Sequence, residues 1–189
     1  VVSAEGKKGE IGMTGIVRII AHWSVTKYKC DADSRDHYHF IYEGDGTEVP
    51  GHKKPEDNLS TADGIYAAHT LGCNTGSIGV ACAAMFGAVS ETNYGKYPIT
   101  LVQFRAMCFG IARLCKKYGI PVTPKTVLSH AEVQGTLGIK QRGKWDISVL
   151  PFANLKGAKA CGDAMRTDVA GYLKTLQTVG DIPNQRKDS

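Results

Sequence analysis

The residues that suggest chemistry lie far apart in the chain. His22 closes the run "RIIAH", while His130, Lys144 and Asp146 fall within "SHAEVQGTLGIKQRGKWD". Two imidazoles and one carboxylate leave the fourth position of a tetrahedral zinc free for water or substrate, the pattern of a catalytic site. Lys144, two residues before Asp146, would bring a positive charge next to such a metal. Spacing alone leaves other readings open. A lone histidine at a strand end commonly serves as a hydrogen-bonded structural residue, Asp146 is equally suited to cap a helix beginning at "ISVL", and Lys144 can be a solvated charge. The remaining histidines at 37, 39, 52 and 69 compete for any ligand role.

For these side chains to meet, the elements carrying them must converge. "GIVRIIAHWS" reads as a buried β-branched strand ending near His22, and "KTVLSHAEV" as a short strand ending at His130. Sheet ends commonly converge, and the glycine-bearing loop after His130 can fold Asp146 back. "DHYHFIYEGDGTEV" predicts a hairpin around Gly-Asp-Gly, and "VPGHKKPEDNLSTADG" an exposed loop. "GSIGVACAAMFGA" has the apolar, glycine-spaced character of a central strand. The strongest helix is "TLVQFRAMCFGIARLCKKYG", with Leu101, Phe104, Cys108, Ile111 and Cys115 on one face, Thr100 as N-cap and Gly119 as stop. A second is expected in "DAMRTDVAGYLKTL" behind an Asp163 cap. Strands and helices alternate without strict βαβ order, which predicts an α/β fold with a mixed central sheet flanked by helices.

Composition limits the function classes. The chain has 189 residues, 42% hydrophobic and 22% charged, with a net charge of +5, the profile of one ordinary globular domain. Basic residues are dispersed and do not interleave with aromatics, which argues against nucleic-acid binding and favours loose attraction to an anionic polymer such as cell wall. No apolar run is long enough for a membrane span, and no signal-peptide pattern is visible. Cysteines 30, 73, 82, 108, 115 and 161 show no two-residue spacing, so a reduced fold with Cys108 and Cys115 in the core is expected. Residues 1–12 read as a natural flexible arm or a remnant of cloning, 13–178 as the catalytic domain and 179–189 as a disordered tail.

Taken in order, "RIIAHWSVT", "HYHFIYEGDGTEV", "AAHTLGCNTGSIGV", "YPITLVQFRAM", "LSHAEV" and "KWD" resemble the zinc-dependent N-acetylmuramoyl-L-alanine amidases. Phage lysozyme-amidases, cytoplasmic anhydromuropeptide amidases and peptidoglycan recognition proteins share this family. The resemblance spans about residues 16–150 and looks closest to single-domain phage endolysins. It implies Zn2+ held by His22, His130 and Asp146, with Tyr38 and Lys144 as catalytic helpers and His69 lining the substrate groove. Trp145 is bulkier than the family's usual residue and is expected either to line the groove or to pack under the zinc loop.

One departure stands out. Where some branches carry a glutamate base in "SIG-x-E-L", this chain has Ala81, and Glu91 is the nearby carboxylate that remains to be considered. A branch relying on tyrosine and lysine is therefore the better match. The resemblance further implies a monomeric enzyme acting on peptidoglycan, made in a bacterial cytoplasm without a signal peptide and reaching the wall after release, without stable membrane insertion. The alternatives are an amidase that recycles anhydromuropeptides, a secreted autolysin, and a peptidoglycan-binding module without catalysis.

Overall fold

A computed structural model describes residues 15–180. The expected arm at 1–12 and all but the first two residues of the expected tail lie outside that range. The element order is β1 (Arg18–Trp23), α1 (Ala32–His37), β2 (Phe40–Tyr42), β3 (Glu48–Pro50), a 3-10 helix (Pro55–Leu59), β4 (Ser77–Cys82), α2 (Leu101–Tyr118), β5 (Val127–Ser129), α3 (His130–Leu137), β6 (Val149–Leu150), a 3-10 helix (Pro151–Ala153), β7 (Leu155–Lys156) and α4 (Ala158–Gly180).

Five strands form a mixed sheet in the order β3-β2-β4-β1-β5. Within it β1 runs parallel to β4 and β5, β2 runs parallel to β4, and the β2–β3 hairpin is antiparallel. The strands next to the centre are apolar on both faces because both faces are covered. Along β1, Ile19, Ala21 and Trp23 join the core formed with α2 and α4, whereas Ile20 packs on the other face with Leu128 and Val133 of α3. By strand alternation His22 shares that second face with Ile20. The fold is α/β, as the sequence predicts.

Helix α2 begins where the capping signal places it, the Thr100 hydroxyl accepting the Gln103 N–H at 3.1 Å. It ends at Gly119, whose φ of 67° is left-handed. Its face is buried from Phe104 onward, but Leu101, the first helical residue, is exposed. Cys108 and Cys115 lie in the core.

Three expectations need correction. "DHYHF" does not begin as a strand. Its first residues finish the six-residue helix α1, which Asp31 caps by accepting the Ser34 N–H at 2.8 Å. Helix α4 begins at Ala158, so Asp163 is interior and not its cap; there it accepts from Lys159 and Arg166. His130 does not end a strand. It is the first residue of α3, because the Glu132 carboxylate accepts the Ser129 N–H at 2.9 Å and starts the helix at that point. Among the described residues no helix is long and apolar enough to cross a membrane.

The start of α3 is anchored from α4. Arg166 grips both carboxylate oxygens of Glu132, at 2.8 and 3.1 Å, and also donates to the Val127 carbonyl at 3.0 Å. Gly162 leaves room for this pair, since a Cβ there would lie 2.1 Å from a Glu132 oxygen. The Glu132 and Arg166 side chains are only 5% and 9% exposed, so removing one strands the other's charge away from water. Arg166→Met should therefore cost about 3–5 kcal/mol of folding stability, measured by urea unfolding. A loss within about 0.5 kcal/mol would place the pair among ordinary surface contacts.

Candidate metal centre and substrate groove

His22, on the second-last residue of β1, is fully buried beneath the sheet face opposite α2 and α4. His130, starting α3, reaches it from the neighbouring strand β5, with ring centroids 4.7 Å apart. Asp146 is brought to both by the backbone. The Ala131 N–H, one of the unpaired donors of the first turn of α3, donates to the Asp146 carbonyl at 2.6 Å. Asp146 Oδ2 then lies 2.9 Å from His22 Nδ1 and 3.2 Å from His130 Nδ1. No helix begins at "ISVL"; that segment enters β6 instead.

These three side chains fit a zinc ion. All are buried, and one ligand atom from each falls within 4.8 Å of the others. Ligand atoms on a tetrahedral zinc at about 2.0–2.1 Å stand about 3.3 Å apart, close to the two nitrogen–oxygen separations found here. Burial lowers the His22 pKa to about 4 despite Asp146 beside it, so the imidazole is neutral at pH 7, as a metal ligand must be.

A groove of about 460 Å³ opens beside His130, lined by Tyr38, Tyr66, His69, Gln141, Arg142 and Lys144 among others. Tyr38, at the end of α1, sets its ring 5.1 Å from that of His22. Burial raises its phenol pKa well above the ordinary value, reinforced by the Asp146 charge, so the hydroxyl remains a donor at neutral pH. Lys144, which also lines the groove, is exposed, in a turn closed by its own N–H donating to the Gln141 carbonyl at 3.2 Å.

His69 is buried against the sheet. A Cβ on Gly79 would come within 2.4 Å of its ring, so glycine at that point of β4 is what admits it. The Asn74 side chain holds its loop by accepting the N–H groups of His69 and Thr70 at 3.1 and 2.8 Å. Trp145 is not among the groove-lining residues. It stacks edge-to-face on Trp23 at 4.7 Å and packs against the core.

Two of the other histidines are engaged elsewhere, and the third lines the groove. His39 accepts the Gly79 N–H at 2.9 Å and pairs with Asn58, His52 pairs with Asp36, and His37 stands at the groove's edge. Ala81 lies in register with His22 across β1 and β4, next to one of the candidate ligands. The Glu91 charge adds to burial in raising the Cys161 thiol of α4, to about 12. Sequence reasoning missed Thr70 and Gln141, which contact His22 and His130.

A family profile described as N-acetylmuramoyl-L-alanine amidase matches residues 13–146, most of the chain. The chain belongs to this amidase family. Membership supports amidase activity in general terms and fits the order of motifs from His22 to Asp146. Among solved structures, the N-acetylmuramoyl-L-alanine amidase LysC from Clostridium intestinale URNW is 18% identical, over 74% of this chain and 81% of that one, with a TM-score of 0.44. Bumblebee PGRP-SA is 16% identical over 75% and 78% of the two chains, with a TM-score of 0.45. Both likenesses are remote. No curated protein matches the sequence.

Proposed function

We propose that the protein is a zinc-dependent N-acetylmuramoyl-L-alanine amidase that cuts the amide between the lactyl group of N-acetylmuramic acid and L-alanine, working as a phage-type endolysin. The observation carrying this reading is the convergence of His22, His130 and Asp146 at the edge of a groove that also presents Tyr38 and Lys144. A non-catalytic binding module would have no need of all three ligands. Recycling of soluble anhydromuropeptides is disfavoured by Ala81, which leaves the glutamate position of that branch without a carboxylate.

In this reading the three ligands would hold a zinc whose Lewis acidity makes water nucleophilic near neutral pH and polarises the scissile carbonyl. The groove would receive the muramyl peptide beside them. As negative charge develops on the carbonyl oxygen, the ammonium of Lys144, which lines the groove, would stabilise it. Tyr38, held in its protonated form, donates a hydrogen bond to the same oxygen or to the attacking water. With aspartate as the third ligand, the centre has no thiolate to oxidise.

The test is metal removal. A chelator should stop hydrolysis of purified sacculi, and stoichiometric zinc should restore it while magnesium does not, because nitrogen donors favour zinc over harder cations. Undiminished hydrolysis by thoroughly stripped protein would refute the reading.

A further inference from the structure

Each histidine ligand has a second ring nitrogen, and the groups around it dictate where its proton must be. The chain of contacts at His22 begins at a backbone carbonyl. His69 Nε2 lies 3.3 Å from the Ser77 oxygen, which can only accept, so Nε2 carries the ring proton. His69 is buried with no carboxylate partner among the described residues, so it is neutral and its Nδ1 is a bare acceptor. That nitrogen stands 2.9 Å from Thr70 Oγ1 and takes the hydroxyl's single proton. The lone pairs of Thr70 Oγ1 are left to face His22 Nε2 at 3.3 Å, which must therefore be the donor. His22 Nδ1 is then bare and directed at Asp146 Oδ2.

A second anchor acts on His130. The Gln141 amide nitrogen donates to the Leu71 carbonyl at 2.9 Å, which fixes the direction of the side chain. Its oxygen accordingly faces His130 Nε2 at 2.8 Å and accepts from it, leaving His130 Nδ1 bare toward the same carboxylate oxygen. Two lone pairs and a carboxylate oxygen thus meet at one point. A proton can bridge only one nitrogen–oxygen pair at a time, whereas a metal ion serves all three.

We propose that Thr70, relaying from His69 and the Ser77 carbonyl, and Gln141, anchored on Leu71, are positioning residues that lock both histidines into the Nε2–H tautomer and so prepare the site for metal through Nδ1. The inference rests on the zinc reading above and deepens it. Partners of this kind orient ligands and raise their basicity, and losing one typically costs 10–100-fold in metal affinity. Neither residue touches the metal position itself.

The experiment measures zinc dissociation constants by competition with a chromophoric chelator, for the wild-type protein, Thr70→Val, Thr70→Ser, Gln141→Met and Gln141→Glu. The isosteric but hydroxyl-free Thr70→Val and the acceptor-free Gln141→Met should each bind about 10–100-fold more weakly. Thr70→Ser and Gln141→Glu, which keep an acceptor for Nε2–H, should retain most of the affinity. A merely structural role would not follow this division. Nitrogen-15 spectra of the zinc-loaded wild-type protein should show Nε2 protonated and Nδ1 coordinated in both His22 and His130, a readout independent of how the variants fold. Coordination through Nε2, or wild-type affinity in both Thr70→Val and Gln141→Met, would overturn the proposal while leaving the zinc amidase reading intact. Failure of the wild-type protein to bind zinc would remove both.

Discussion

His130→Ala should reduce the zinc content of the purified protein from about one ion per chain to nearly none, and hydrolysis of sacculi with it. Three protein ligands are the usual complement of a catalytic zinc, so the loss of one leaves two donors and an open, weakly binding site. Helix α3 should survive the change: its start is set by Glu132 and Arg166, and alanine is favourable in a helix. Loss of metal together with unchanged circular dichroism would assign the effect to ligation. Unchanged zinc stoichiometry would show that His130 is not a ligand.

Lys144→Ala should separate chemistry from metal binding. Its side chain is exposed at the groove and, among the described residues, has no partner whose loss would strand a buried charge, so fold and zinc content should not change. In the proposed reading its contribution would lie in the transition state, where the ammonium meets charge absent from the substrate. Removing one such donor commonly costs about 10²–10³ in kcat, with a much smaller effect on KM. Near-normal turnover in this variant would return Lys144 to the status of a surface charge.

How much of this is legible in the sequence depends on what each residue's role requires. Helix α2 can be read because its apolar face from Phe104 to Cys115 recurs at helical spacing between a threonine cap and a stopping glycine, all local signals. Strand β1 can be read from its β-branched run. Helix α1 is hidden because "ADSRDH" is short and polar, with no apolar stripe; the Asp31 cap is its one local mark. The start of α3 is easily overlooked although Ser129-x-x-Glu132 is a capping-box pattern, because the glycines that follow favour a loop reading. The early start of α4 is obscured by Asp163, a good cap residue that instead pairs along and across the helix.

The site shows the same division. His22, His130 and Asp146 stand out through motifs in a known order, and the fold brings them together. The resemblance also places Tyr38, His69 and Lys144, and all three line the groove. Thr70 and Gln141 escape a sequence reading because hydrogen-bond direction depends on carbonyls brought close only by folding, those of Ser77 and Leu71. Trp145 has two open placements in the sequence, and its contact with Trp23, distant along the chain, is visible only in the fold.

The most direct test of the central claim is to identify the bond that is cut. Purified sacculi digested with the protein should yield stem peptides bearing a free L-alanine amine, and glycan strands that remain intact with lactyl carboxylates, as read by mass spectrometry and amino-terminal labelling. A single hydrolytic zinc directs water at a carbonyl, whereas glycosidases generally place two carboxylates about the glycosidic bond. Here the motif carboxylate, Asp146, sits with the histidines, and Ala81 occupies the neighbouring strand position. New L-alanine amino termini without new reducing sugar ends are the predicted result. New reducing ends without new L-alanine amino termini would contradict it.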